Sequence, residues 1–177
     1  MLSTSSRAAN AGLTLIELVV SIAIVAVIAS LAAPSFSALI INAQIRTAAQ
    51  ALHDGLKLTR AEAIRRNERV TFLKGAGSSW TITVNSTGTV VQSHLSGEGS
   101  AAAVVSPTPG TGTTVSFNSL GRVVNPTAAT TITQLDISVP TTVLPSSVTK
   151  NLRIAVTNGG AIRLCDPNAT AGAGMGC

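Results

Sequence analysis

Lys150, Arg153 and Arg163 stand close together near the end of this 177-residue chain, and Cys165 and Cys177 follow directly. Cations at such spacing are either solvated edge charges or can meet about two or three phosphates, giving weak, salt-sensitive contact to DNA without reading its sequence. No aromatic residue stands beside them, so a stacking platform for single strands is missing. The two cysteines enclose "DPNATAGAGMG". In an oxidising compartment they would form a disulfide, whereas in a reducing one they would stay free thiols. Closing a loop of this size is worth about 3 kcal/mol in the chain-entropy picture, enough to pin a glycine-rich tail.

Other chemistry finds few carriers. His53 and His94 lack an acidic or cysteine partner at metal-ligand spacing, so neither a metal nor a cofactor is expected. The chain has no Gly-x-Ser-x-Gly elbow and no phosphate-binding P-loop. "GAGMG" at the tail is not followed by a helix, as a nucleotide loop requires. Asn85-Ser86-Thr87 and Asn168-Ala169-Thr170 match the glycosylation pattern, which we read as coincidence. No catalytic residue is assigned, and the chain is expected not to be an enzyme. A membrane-anchored periplasmic enzyme stays as an alternative of a different class.

These residues must be positioned by an unusual set of elements. Residues 13–33 are apolar except for Thr14, Glu17, Ser21 and Ser30. As a helix the run covers about 30 Å, the thickness of a bilayer's hydrocarbon core. A secretory signal has a shorter apolar run followed by cleavage, and Ser30-Leu31-Ala32 is the alternative site for it. The leader, residues 1–12, carries one arginine and no acid, which predicts a cytoplasmic N-terminus and the bulk of the chain outside. A charged carboxylate inside lipid is costly, so Glu17 needs either a snorkelling position at the interface or a cationic partner.

Beyond the apolar run, Ile41, Ile45, Ala48, Leu52, Leu56, Thr59 and Ala63 recur every three or four residues. Gln50, Asp54, Lys57 and Arg60 fall off that stripe, so residues 34–69 read as an amphipathic continuation of the helix. The joined helix, from Leu13 to about Asn67, would be about 80 Å long. Glu62 is placed to pair with Arg66, and Arg65, Arg66 and Arg69 read either as a docking patch or as a solvated helix end. Residues 46–69 carry a net charge of +3 and residues 70–177 one of +2, a mild basic bias.

From Val70 onward the pattern alternates, as in an antiparallel sheet domain over residues 70–177. Trp80, Ile82 and Val84 alternate, as do Val115 and Phe117, and Leu135, Ile137 and Val139. The stretch from Ser96 to Gly112 reads as a loop because of its Gly, Pro and Ser content. At the last hairpin, a three-residue turn through Gly160 pairs Val156 with Ile162 and Ile154 with Leu164, which keeps one face apolar. That register puts Arg153, Ala155, Arg163 and Cys165 on the opposite face, with Arg153 and Arg163 as diagonal neighbours.

Gly12-Leu13-Thr14-Leu15-Ile16-Glu17 resembles the processing signal of type IV prepilins and pseudopilins. The resemblance implies that a prepilin peptidase cuts after Gly12 and methylates Leu13, which stands where the family usually has phenylalanine. Glu17 is then the fifth mature residue and Pro34 the twenty-second, both as in that family. A glutamate at this position is implied to meet the free amine of an adjacent subunit, while Pro34 loosens the helix during assembly. Residues 45–72, with Arg60-Ala61-Glu62-Ala63-Ile64-Arg65-Arg66-Asn67, and "VSFNSLGRV" at 115–123 resemble the FimT/GspH family of minor pilins and pseudopilins.

The resemblance implies a pilin-like α+β fold: a long N-terminal helix, transmembrane in its first half, packed on an antiparallel sheet. It implies anchoring in a bacterial inner membrane, a periplasmic domain and other pilins as partners. It further implies a role at or near a filament tip, in a type IV pilus of the FimT kind or a GspH-like secretion pseudopilus. In FimT-like subunits a Gly-Arg-x-Arg motif near the disulfide-closed tail binds DNA. Here the motif reads Gly160-Ala161-Ile162-Arg163, with alanine replacing the first arginine.

Overall fold

A computed structural model describes residues 14–169 and 174–177. The proposed cut between Gly12 and Leu13 and the side chain of Pro34 lie outside what it describes. The chain falls into two compact units, Met1–Ser37 and Ala38–Cys177, and one helix, α1 (Leu15–Arg66), contributes to both.

In the first unit, Thr14 caps the helix: its Oγ1 accepts from the backbone N–H of Glu17 at 3.3 Å, and its carbonyl accepts from Leu18 N–H. The first bond satisfies one of the donors that a helix start leaves open, and the second is the opening bond of the helix itself. The two serines bond back into the helix, Ser21 Oγ to the Glu17 carbonyl at 2.7 Å and Ser30 Oγ to the Val27 carbonyl at 2.8 Å. Such back-bonding makes a hydroxyl compatible with lipid. The large apolar side chains from Leu15 to Leu31 are all at least half exposed, so nothing among the described residues buries them. As one unbroken piece, no helix among the described residues is long and apolar enough to cross a membrane, whereas Leu15–Leu31 and Ser35–Arg66 together are.

In the second unit the expected stripe is the buried face of α1. Ile45, Ala48, Leu52, Leu56, Thr59 and Ala63 are fully buried, with Ala49 beside them. The buried hydroxyl of Thr59 is met by the Gly55 carbonyl at 2.7 Å. The helix ends where Asn67 turns left-handed at φ 54°. Asn67 N–H then bonds the Ile64 carbonyl and Glu68 N–H the Ala63 carbonyl, the paired closure of a Schellman end. Glu62 receives Arg65 at 2.7 Å and Arg66 at 2.6 Å. Hydrogen bonds from Arg65 and then Arg66 hold its carboxyl down to about 2. The basic helix end is thus partly neutralised from within.

Eight strands follow: β1 (Val70–Lys74), β2 (Trp80–Val84), β3 (Val90–His94), β4 (Val104–Thr108), β5 (Thr114–Phe117), β6 (Gln134–Ser138), β7 (Leu152–Val156) and β8 (Ile162–Cys165). They form two four-stranded antiparallel sheets, ordered β3-β2-β1-β5 and β4-β6-β7-β8. The sequence suggests a sheet without indicating this division. The stretch read as a loop from Ser96 to Gly112 contains β4. Its Pro107 pairs with Leu135 at the sheet edge, where a missing N–H costs no ladder bond.

Both sheets bury their inner faces in one core with α1. Phe72, Ile82, Val115 and Phe117 come from the first sheet, and Leu135, Ile137 and Ile154 from the second. Gly55 makes room for Trp80: a Cβ there would meet the indole at 2.8 Å. Phe72 and His94 flank that indole, each at a ring separation of 5.8 Å. Two helix amides reach sideways to hold connecting segments. Gln44 Oε1 accepts from Ala102 N–H at 3.0 Å. Asn42 donates to the Val148 carbonyl at 3.0 Å and accepts from Lys150 N–H at 2.8 Å.

Candidate functional site

The chemistry proposed from sequence falls at two places, the start of α1 and the outer face of the second sheet. At the helix start, Glu17 is exposed in the first turn, three residues after the Thr14 cap. Thr14, Ser21 and Ser30 are each occupied by backbone groups of the same helix. The Glu17 carboxylate has no hydrogen bond or ion pair among the described residues. Of the polar side chains described between Thr14 and Leu31, it alone is left open to a partner.

At the second sheet, the last hairpin has the expected register: Val156 opposite Ile162, Ile154 opposite Leu164, and Ala155 opposite Arg163. Arg153 therefore lies diagonal to Arg163. One of the three cations read as a group is already paired. Arg153 Nε lies 2.6 Å from Oδ1 of Asp136, its partner across β6 and β7, and Oδ2 of the same carboxylate accepts from Gln134 at 2.7 Å. Lys150 lies before β7, at the Asn42 clamp, and lines a different feature, a cleft against α1. Arg163 is left as the exposed cation of the hairpin. The strand beside β7 thus brings a carboxylate that compensates one of the three cations read from sequence as a phosphate-binding face.

Cys165 and Cys177 are joined. The tail returns beside β8, with Asp166 N–H bonded to the Met175 carbonyl at 2.6 Å and Cys177 N–H to the Asp166 carbonyl at 3.3 Å. Of the two histidines, His53 meets the backbone of Ile162 in β8. Burial, then Lys57, holds the His53 imidazole below its usual pKa, and His94 Nδ1 lies 2.8 Å from Glu98. Among the described residues no three His, Cys, Asp or Glu side chains are grouped to hold a metal.

A family profile described as type II transport protein GspH matches residues 48–160, well over half of the chain. The chain belongs to the GspH family. A second profile, the prokaryotic N-terminal methylation motif, covers residues 7–33. Two crystal structures of the type IV minor pilin FimU of Pseudomonas aeruginosa PAO1 share the fold. One is 16% identical with a TM-score of 0.53, covering 73% of this chain and 93% of that one. The other is 14% identical with a TM-score of 0.51, covering 72% and 98%. No curated protein matches the chain in sequence. The fold is thus that of a pilin, and the chain is a minor pilin or pseudopilin of the GspH/FimT kind. The methylation motif and the family imply a prepilin leader removed by its peptidase, an inner-membrane anchor, a periplasmic domain and pilin-type partners.

The structure gives this GspH-family chain's internal signature a physical role. In "VSFNSLGRV", Asn118 Oδ1 accepts from the N–H groups of Leu120 and Arg122, which forms a tight turn. Gly121 sits in that turn at φ 71° and offers its carbonyl to Arg60 Nε at 3.0 Å. Gly160, at φ 85° in the last hairpin, packs directly against the same carbonyl. Arg60, Gly121 and Gly160 thereby tie the helix, the end of β5 and the β7–β8 turn together. Sequence reasoning did not find this joint, although two glycines at turn positions were the available signal.

Proposed function

We propose that this chain is a minor subunit that enters a type IV pilus-like filament near its tip, with Glu17 receiving the N-terminal amine of a neighbouring subunit. The supporting observation is the open Glu17 carboxylate on a stretch, Thr14 to Leu31, whose other polar side chains bond back to the same helix. In lipid an unpartnered carboxylate is disfavoured, and a neighbour's amine offsets that cost. The organisation behind this reading is a leader over residues 1–12, a span over 13–33, a helical continuation over 34–69 and a β domain over 70–177. Pro34 falls just past the span, where a lost backbone bond lets the helix extend during packing. A type IV pilus of the FimT kind is the preferred setting, and a GspH-like place in a secretion pseudopilus is the alternative.

Glu17→Gln in the host should leave the amount in the membrane unchanged and lower the amount in sheared filaments about tenfold or more, the ratio lost with ~1.4 kcal/mol. Equal recovery in filaments would refute the amine contact. Intact mass of the same membrane fraction should give a mature chain starting at methylated Leu13.

A second reading, weak duplex-DNA contact for uptake, is favoured by the exposure of Arg163 beside the disulfide. Its expected mark is retardation of duplex DNA at low salt that Arg163→Ala removes. The absence of any retardation at low salt would end it.

A further inference from the structure

Of the chain's asparagines, Asn158 alone precedes a glycine. An asparagine amide is attacked most readily by the backbone nitrogen of the next residue when no side chain shields that nitrogen. The β7–β8 turn leaves both partners of this reaction open. Asn158 and Gly159 are exposed, and the Asn158 side chain makes no hydrogen bond among the described residues. The turn's own bonds run past them. Thr157 N–H donates to the Ala161 carbonyl at 2.9 Å and Gly160 N–H to the Thr157 carbonyl at 2.8 Å. Gly159 N–H meets no acceptor among the described residues. Nothing crowds the site either, since a Cβ on Gly159 would find only Thr157 Oγ1, at 3.9 Å. The two asparagines that precede serine are engaged. Asn85 receives Thr71 Oγ1 at 2.7 Å, and Asn118 Oδ1 holds the N–H groups of Leu120 and Arg122. Asn125 precedes Pro126, which has no N–H to give.

We propose that Asn158 modifies itself: it closes on the Gly159 nitrogen to a cyclic imide, which water reopens chiefly as isoaspartate. In the first step the bond from Gly159 N to Cγ of Asn158 forms and the Cγ–Nδ2 bond breaks. Ammonia leaves, carrying the proton that the Gly159 amide gives up. Water, the only co-reactant, then splits the imide. Attack at Cγ yields an ordinary aspartate. Attack at the α-carbonyl breaks the original peptide bond and leaves the chain running through Cβ and Cγ. That product changes the joint between the hairpin and the helix. The Asn158 carbonyl, which receives Val123 N–H at 3.2 Å, becomes a free carboxylate, and the turn gains a backbone carbon. Gly160 already packs against the Gly121 carbonyl with no room for a methyl group. A longer turn loses that seat in a close-packed contact, and the hairpin lifts from the carbonyl that Arg60 Nε meets at 3.0 Å. The age of a subunit is thus written into its β domain as lost stability, and nothing in this chemistry depends on the filament.

The test holds the full chain in detergent at mildly alkaline pH and digests samples with trypsin as they age. The peptide from Ile154 to Arg163 should gain the mass that separates an amide from a carboxyl, and a protein isoaspartyl methyltransferase should label it. Peptides holding Asn85 and Asn118 should stay unchanged. Gly159→Ala, whose methyl group the turn accommodates, should lose the conversion while keeping the parent's unfolding midpoint. The aged chain should unfold below Asn158→Asp, which carries the new charge without the extra backbone carbon. An Asn158 that stays an amide in the folded chain overturns the site, whether or not the unfolded chain converts. Conversion to aspartate alone, or a labelled chain with the midpoint of Asn158→Asp, overturns the effect on the joint. Equal conversion at Asn85 or Asn118 overturns the part assigned to the open turn.

Discussion

Gly160→Ala lowers the stability of the β domain by about 4 kcal/mol, whereas Gly159→Ala beside it has almost no effect. The difference follows from where an added methyl group would go. At Gly159 the nearest atom is Thr157 Oγ1 at 3.9 Å, an ordinary contact. At Gly160 the Cβ would overlap the Gly121 carbonyl oxygen, the same oxygen that receives Arg60. Relief requires the β5 turn to move away from the last hairpin, and the Arg60 bond moves with it. Gly160 also stands at φ 85°, where an L side chain costs about 1–2 kcal/mol, and forced overpacking adds typically 1–3 kcal/mol. Gly88 separates these two costs. Its φ is 68° with nothing within 4 Å of an added Cβ, so Gly88→Ala should cost only about 1 kcal/mol. Thermal unfolding in detergent should thus rank the variants, with Gly160→Ala roughly 10–15 °C below the parent. If Gly160→Ala unfolds together with Gly88→Ala, the joint is not as tight as described.

Breaking the disulfide has the second large effect. The bridge closes a loop with a sequence separation of 12, for which chain entropy gives about 3 kcal/mol. Few other bonds hold the tail: among the described residues its backbone meets Asp166 through Met175 and Cys177. Cys165 is buried and Cys177 exposed, so Cys177→Ser removes the bridge without placing a hydroxyl in the core. Cys177→Ser, or a reductant added to the parent, should lower the unfolding midpoint by about 10 °C. The tail around Met175 should gain fast amide exchange in the same samples. An unchanged midpoint with two titratable thiols would show that the tail adds no stability.

The sequence disclosed whatever depends on local period. The α1 stripe from Ile41 to Ala63 was legible because seven positions recur at helical spacing, and all but Ile41 are fully buried. The β7–β8 register was legible because only one turn length keeps Ile154, Val156, Ile162 and Leu164 on one face. What failed depended on partners far away in the chain. Arg153 looked free because its neighbour Asp136 belongs to β6, and nothing in the pattern sets the β6–β7 register. β4 was missed because Pro107 and Pro109 read as loop, although an edge strand tolerates them. The division into two sheets is a matter of strand order, which alternation does not encode. Glu17 is singled out in the sequence by its distance from Gly12, a feature of processing signals that owes nothing to packing.

The strand borders of the head are each interrupted. Pro107 removes a donor from β4, and the β2–β3 register shifts between Ile82 and Thr83. Bridges to Thr131 and Val123 sit along β5, and the returning tail bridges Asp166 to Gly176 just past β8. Interruptions of this kind weaken the borders as templates for backbone zippering, which counts against crowded copies fusing into amyloid-like ribbons.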